Sequence, residues 1–108
     1  MANTFRSYGA AAVSTTDVNV YTVPAATQAV ILGVTVANLL SSTVNISVKI
    51  TKASGTYFLV KIAPVLTGSS IEVIGSGSKF VAEAADIIKV VSDTASSVDA
   101  IVSCLEIS

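Results

Sequence analysis

Thr43-Val44-Asn45-Ile46-Ser47-Val48-Lys49-Ile50-Thr51 alternates strictly between apolar and polar residues. A period of two places Val44, Ile46, Val48 and Ile50 on one face and Asn45, Ser47, Lys49 and Thr51 on the other, the signature of a half-exposed antiparallel strand. Ala53-Ser54-Gly55 comes next as a hairpin-type turn, and Thr56 to Ile62 reads as the returning strand.

Upstream, Gln28 to Asn38 is the longest strand candidate. Val30, Leu32, Val34 and Val36 alternate with Ala29, Ile31, Gly33, Thr35 and Ala37, so both faces are largely apolar. That pattern predicts a central strand buried on both faces, packed by the sandwich or by another subunit. Val18 to Val23 is a strand stopped by Pro24, and Leu39 to Ser42 turns the chain. Downstream, Pro64 demotes the residues after it to loop or edge, and Thr67-Gly68-Ser69 turns again. Ser70 to Ile74 is a short strand and Gly75-Ser76-Gly77-Ser78 a flexible loop. Lys79 to Ala82 leads to one expected helical turn over Ala82 to Asp86. The β-branched Ile87, Ile88, Val90 and Val91 argue for strand rather than helix after it. Ile87 to Ser92 and Val98 to Ile107 close the chain. The spacing predicts an all-β fold, an antiparallel β-sandwich of about eight strands, jelly-roll-like. Residues 18–108 form that domain. Residues 1–17, rich in Ala, Ser and Thr, read as an N-terminal arm held by a neighbour or by the domain's own flank.

Composition agrees. Val and Ile number 27 against 6 Leu, and with 11 Thr the β-branched total is 38 of 108 residues. Such side chains favour pleated strands. Charged residues make up only 12% of the chain, about half the usual share, which is thin cover for a monomer's surface. The net charge of −1 and singly scattered basic residues leave no electrostatic footprint for nucleic acid. Asp17 and Lys49 bracket 31 uncharged residues, but Pro24 and several Asn, Thr and Gln interrupt them, so no membrane span is expected. No secretory signal is expected either.

A search for chemistry returns little. His is absent, which removes the commonest general base and metal ligand. Cys104 stands alone, in a run that reads as strand, and is expected to be a small buried hydrophobe. The carboxylates Asp17, Glu72, Glu83, Asp86, Asp93, Asp99 and Glu106 are spread singly; Glu83 and Asp86, three apart, suit a solvated bend better than an acid–base pair. Gly75-Ser76-Gly77-Ser78 lacks the Lys-Ser/Thr that a phosphate loop needs. The chain is therefore expected not to be an enzyme and to need no cofactor or metal. Its candidate interface residues are Phe5, Arg6, Tyr8 and Val13 on the arm, and Ile31, Leu39 and Leu40 on the two-sided strand and the turn after it.

Three segments taken together carry a resemblance. Val20-Tyr21-Thr22-Val23-Pro24-Ala25 precedes the long apolar strand ending Ala37-Asn38; Ala63-Pro64-Val65 leads to Gly68-Ser69-Ser70; and Ser103-Cys104-Leu105-Glu106-Ile107 closes the chain. Over residues 18–107 this resembles small β-sandwich virion structural proteins of tailed bacteriophages, particularly those of marine and cyanobacterial hosts. Those relatives usually carry Gly-Asp where this chain has Ala85-Asp86, which implies a differently shaped turn. The resemblance implies a virion protein assembled in the host cytoplasm, above all a capsid decoration or cement protein. Such a protein would form homo-oligomers, as trimers, and contact the major capsid protein. A neck, tail or baseplate component of the same phage is the alternative, and a monomeric carbohydrate-binding module is the reading from another class.

Overall fold

A computed structural model describes residues 3–74 and 79–108. The expected loop at residues 75–78 lies outside the described residues, as do Met1 and Ala2. Nine strands succeed one another in chain order: β1 (Asn3–Val13), β2 (Val18–Thr22), β3 (Gln28–Asn38), β4 (Val44–Lys52), β5 (Gly55–Val65), β6 (Ser70–Ile74), β7 (Phe80–Ala82), β8 (Ile87–Ser92) and β9 (Val98–Ile107). They form two antiparallel sheets. One runs β1-β9-β3-β6, with β7 also on β3, and the other β2-β8-β4-β5.

The pairing order explains the shape. β4 pairs with β5, β3 with β6 and β7, β2 with β8, and β1 with β9. These are the nested rungs of one long hairpin whose tip is the turn after Lys52. Successive rungs lie in alternate sheets, joined by β3 against β9 and β4 against β8. With β6 and β7 as two pieces of one rung, this is the winding of an eight-stranded jelly roll.

The core is aliphatic and almost wholly β-branched. Val44, Ile46, Val48 and Ile50 of β4 and Ile88 and Val90 of β8 face Ile31, Val34 and Val36 of β3 and Val98, Val102 and Cys104 of β9. In β4 the buried residues are the even-numbered ones, as the alternation predicts. Stiff side chains lose little rotamer freedom on burial, and each fully buried one contributes roughly 1.5–3 kcal/mol.

Residues 3–13, expected as an arm held by a neighbour or by the domain's own flank, form an edge strand on that flank, paired residue by residue with β9 from Asn3↔Ile107 to Ala10↔Ala100. Other features differ from the sequence reading. In β3 the buried face changes from Ala29 and Ile31 to Val34, Val36 and Asn38, because a bulge at Leu32 shifts the register between Ile31 and Gly33. The expected helical turn at Ala82 to Asp86 is instead a β-turn. The Asp86 amide donates to the Glu83 carbonyl (3.0 Å), and the Asp86 carboxylate accepts from the Glu83 amide (2.8 Å). Ala85 sits there at φ +71°, the conformation that Gly adopts most easily.

Pro64 lies within β5 rather than ending it. Opposite it, Asn45 directs its N–H and C=O to Asp93, away from β5. The nitrogen of Pro64 therefore faces outward on an edge strand, where no ladder donor is needed.

Candidate assembly surface

The outer face of the five-stranded sheet carries a straight row of apolar side chains. Phe5 of β1 stands opposite Leu105 of β9, Leu105 opposite Val30 of β3, and Val30 opposite Val81 of β7. The row crosses all four strands at that level. Phe5 is 75% exposed and Val81 57%, with Leu105 and Val30 half-buried between them. Ile107 lies one row to one side; on the other comes the small-residue row Ser7–Ser103–Gly33, and beyond it Ile101 stands beside Gly9 and Thr35, itself 52% exposed. Glu72 closes the Ile101 row by accepting from the Thr35 hydroxyl (2.7 Å). A contiguous apolar stripe rimmed by polar groups is the form that contact surfaces take.

The expected interface residues scatter across the molecule. Phe5 ends the row. Arg6 and Tyr8, of opposite parity on β1, turn toward the interior side. Val13 and Ile31 are 1% and 0% exposed; both are core residues, and a contact role for them is corrected accordingly. Ile31 precedes the bulge and so faces inward, and Val13 pairs with the buried Val98. Leu39 is exposed and Leu40 half-buried, in the turn after β3. That turn lies nine residues along the strand from Val30, or roughly 30 Å at the rise of an extended chain. Leu105, Val30, Val81 and Ile101 were missed. Their signal was present in the apolar second face of β3, but single strands do not reveal which residues stand side by side.

The ionisable groups hold strands together. Both oxygens of Glu106 are occupied: the Tyr21 and Tyr8 hydroxyls donate to Oε2 at 2.7 and 3.0 Å, and Arg6 Nε lies 3.3 Å from Oε1. The two rings stack with centroids 4.5 Å apart, linking β1, β2 and β9 across the two sheets. The Tyr21 hydrogen bond, with help from Tyr8 and Arg6, holds the Glu106 carboxyl below its ordinary range. Burial, then the bond to Glu106, pushes both tyrosine hydroxyls up. Burial likewise raises the Cys104 thiol, which is 1% exposed and so lacks the exposed thiolate character of a reactive cysteine.

At the hairpin tip, Lys52 bridges Asp86 and Glu83, and the Asp86 contact above all raises its pKa. On the outer face of the four-stranded sheet, Lys49 pairs with Asp17 at 2.9 Å. The ammonium groups of Lys49 and Lys61 lie 5.4 and 5.1 Å from the Phe58 ring centroid, within cation–π range.

Among the described residues no three His, Cys, Asp or Glu side chains gather as a metal site. An open depression of about 540 Å³ beside the β7–β8 turn is lined by Ala26, Thr27, Gln28, Glu83, Ala84 and Ile107; Glu83, already facing Lys52, is its one ionisable side chain. No family model matches this chain, and no curated protein matches it.

Proposed function

We propose that this chain is a structural protein that works by packing, without catalysis, and that it serves in the particle of a tailed bacteriophage as a capsid decoration or cement protein. The observation that carries the packing role is the apolar row Phe5–Leu105–Val30–Val81 across the outer face of a jelly roll. Thirteen charged residues in 108 suit a surface covered by neighbours better than a free one. The phage assignment rests on the resemblance of residues 18–107 to virion proteins. In that role the chain folds in the host cytoplasm, associates with copies of itself, and contacts the major capsid protein. Many copies convert modest single contacts into a durable shell.

A sugar-binding role is less favoured by the surface itself. Phe58, an exposed aromatic on the opposite sheet, has two lysine ammonium groups at its ring rather than a bare face for stacking. Quantitative mass spectrometry of purified particles of the encoding phage tests the proposal. Hundreds of copies per particle are expected. Tens or fewer would move the chain to the neck, tail or baseplate, and its absence from particles would refute the reading.

A further inference from the structure

The two sheets have four edges, and three are blunted. β2 is five residues long, bulged between Asn19 and Tyr21, and runs toward Pro24. β5 carries two register shifts, Lys61, Pro64, and Ile62 held at φ +54°. The third edge is divided between β6, five residues and irregular, and β7, three residues. These are the devices by which proteins keep edges from pairing with other chains. β1 has none of them from Asn3 to Ala10. Its register against β9 runs unbroken through eight consecutive pairs; it contains no Pro and its one charge, Arg6, is turned to Glu106. Asn3 to Ser7 and Gly9 are exposed. Among the described residues no strand pairs with its outer edge.

We infer that this edge pairs antiparallel with β1 of a second copy, about a two-fold axis at Ser7, joining two five-stranded sheets into one. An edge strand is complementary to itself under a two-fold rotation, because the same N–H and C=O groups are offered in both directions. Side-chain parity limits the register, since outward residues must meet outward residues. An axis at Arg6 would set two guanidinium groups directly opposite, which is unfavourable. Among the described residues an axis at Phe5 would pair only Asn3 to Ser7, and one at Tyr8 would run into the irregular stretch after Ala10. The axis at Ser7 pairs Thr4 through Ala10, wholly within the regular stretch, puts Arg6 beside the second copy's Tyr8, and lays Phe5 over the second copy's Gly9. A large ring over a strand glycine shields backbone that lacks a side chain of its own. This pairing stands independently of the phage assignment, since it rests on the edge alone.

Cysteine scanning of the full chain tests it. Directly opposed residues have Cα atoms about 4.5–5.5 Å apart, inside the disulfide window of roughly 4.4–6.8 Å. Asn3, on the same face and equally exposed, would lie about 27 Å from its symmetry mate at the strand rise. Under mild oxidation Ser7→Cys should give a covalent dimer and Asn3→Cys none. The wild-type chain should show a concentration-dependent dimer by sedimentation, and Ser7→Lys, with like charges across the axis, should lose that dimer, keep cooperative unfolding, and melt at a temperature that no longer rises with concentration. A wild-type monomer at every concentration, equal cross-linking at both cysteines, or a dimer that persists in Ser7→Lys would overturn the inference.

Discussion

Replacing Glu106 with Ala removes the one group that joins β1, β2 and β9 through side chains. Tyr21 is only 3% exposed, and its hydroxyl would lose a 2.7 Å bond to a carboxylate, with only the weakly accepting Cys104 sulfur beside it; a poorly met buried donor costs about 1–3 kcal/mol. Tyr8 is half-buried and can turn to water, so its share is near the usual net value of ~0.5–1 kcal/mol. Arg6 is 55% exposed, and its screened pair contributes at most ~1 kcal/mol. The total is about 3 kcal/mol, which at ~4 °C per kcal/mol lowers the melting temperature by about 12 °C. Calorimetry and urea unfolding read this directly, and an unchanged urea m-value would show that only stability moved. The pH dependence gives a second reading. Glu106 has its folded pKa below its ordinary value of 4.5, so the folded state binds fewer protons than the unfolded one. Its stabilisation is complete above about that value and disappears as pH falls through the folded pKa. The wild-type advantage over Glu106→Ala should therefore shrink on acidification. A loss below about 1 kcal/mol, or a gap that stays constant into acid, refutes this account of the clasp.

Ile62 and Ala85 hold left-handed backbone at φ +54° and +71°. Relief of ~1–2 kcal/mol of strain, offset by the ~0.5–1 kcal/mol entropy cost of Gly, makes Ile62→Gly and Ala85→Gly each more stable by up to about 1 kcal/mol in urea melts. Deleting residues 1–13 strips β1 from β9 and uncovers Val102 and Cys104, so the truncated chain should lose cooperative unfolding and bind a hydrophobic dye rather than persist as a folded domain. Asn38→Ala breaks three hydrogen bonds, to the Ser42 and Val65 carbonyls and from the Leu40 amide; leaving a buried carbonyl unmet should cost roughly 2–3 kcal/mol by calorimetry.

β4 was legible in full, because its alternation is pure and one face is solvated. β9 and β8 were legible as strands for the same reason of β-branched content. β1 was not, because its pairing is carried by the backbone: Ser7, Gly9, Ala10 and Ala11 form no apolar period, and small residues pair as readily as they form a tail. The bulge at Leu32 was hidden because Leu32 and Gly33 fit either face of β3. Its consequence, that the apolar residues of the outer face are Val30 and Leu32 while Val34 and Val36 turn inward, depends on register with β9. The surface row was hidden for a related reason. Phe5, Leu105, Val30 and Val81 are scattered over nearly the whole chain, and only sheet order makes them neighbours. At the β7–β8 turn Ala85 takes a left-handed φ that no Gly in the sequence signals, with the Asp86 carboxylate held by the Glu83 amide and by Lys52.

Side-chain oxidation footprinting across a concentration series tests the packing role most directly. If the apolar row is a subunit contact, Phe5 and Leu105 become protected as the chain assembles, while Tyr57 and Phe58 on the opposite sheet keep their reactivity. Equal reactivity of Phe5 and Leu105 at the lowest and highest concentrations, or protection confined to Tyr57 and Phe58, would contradict it.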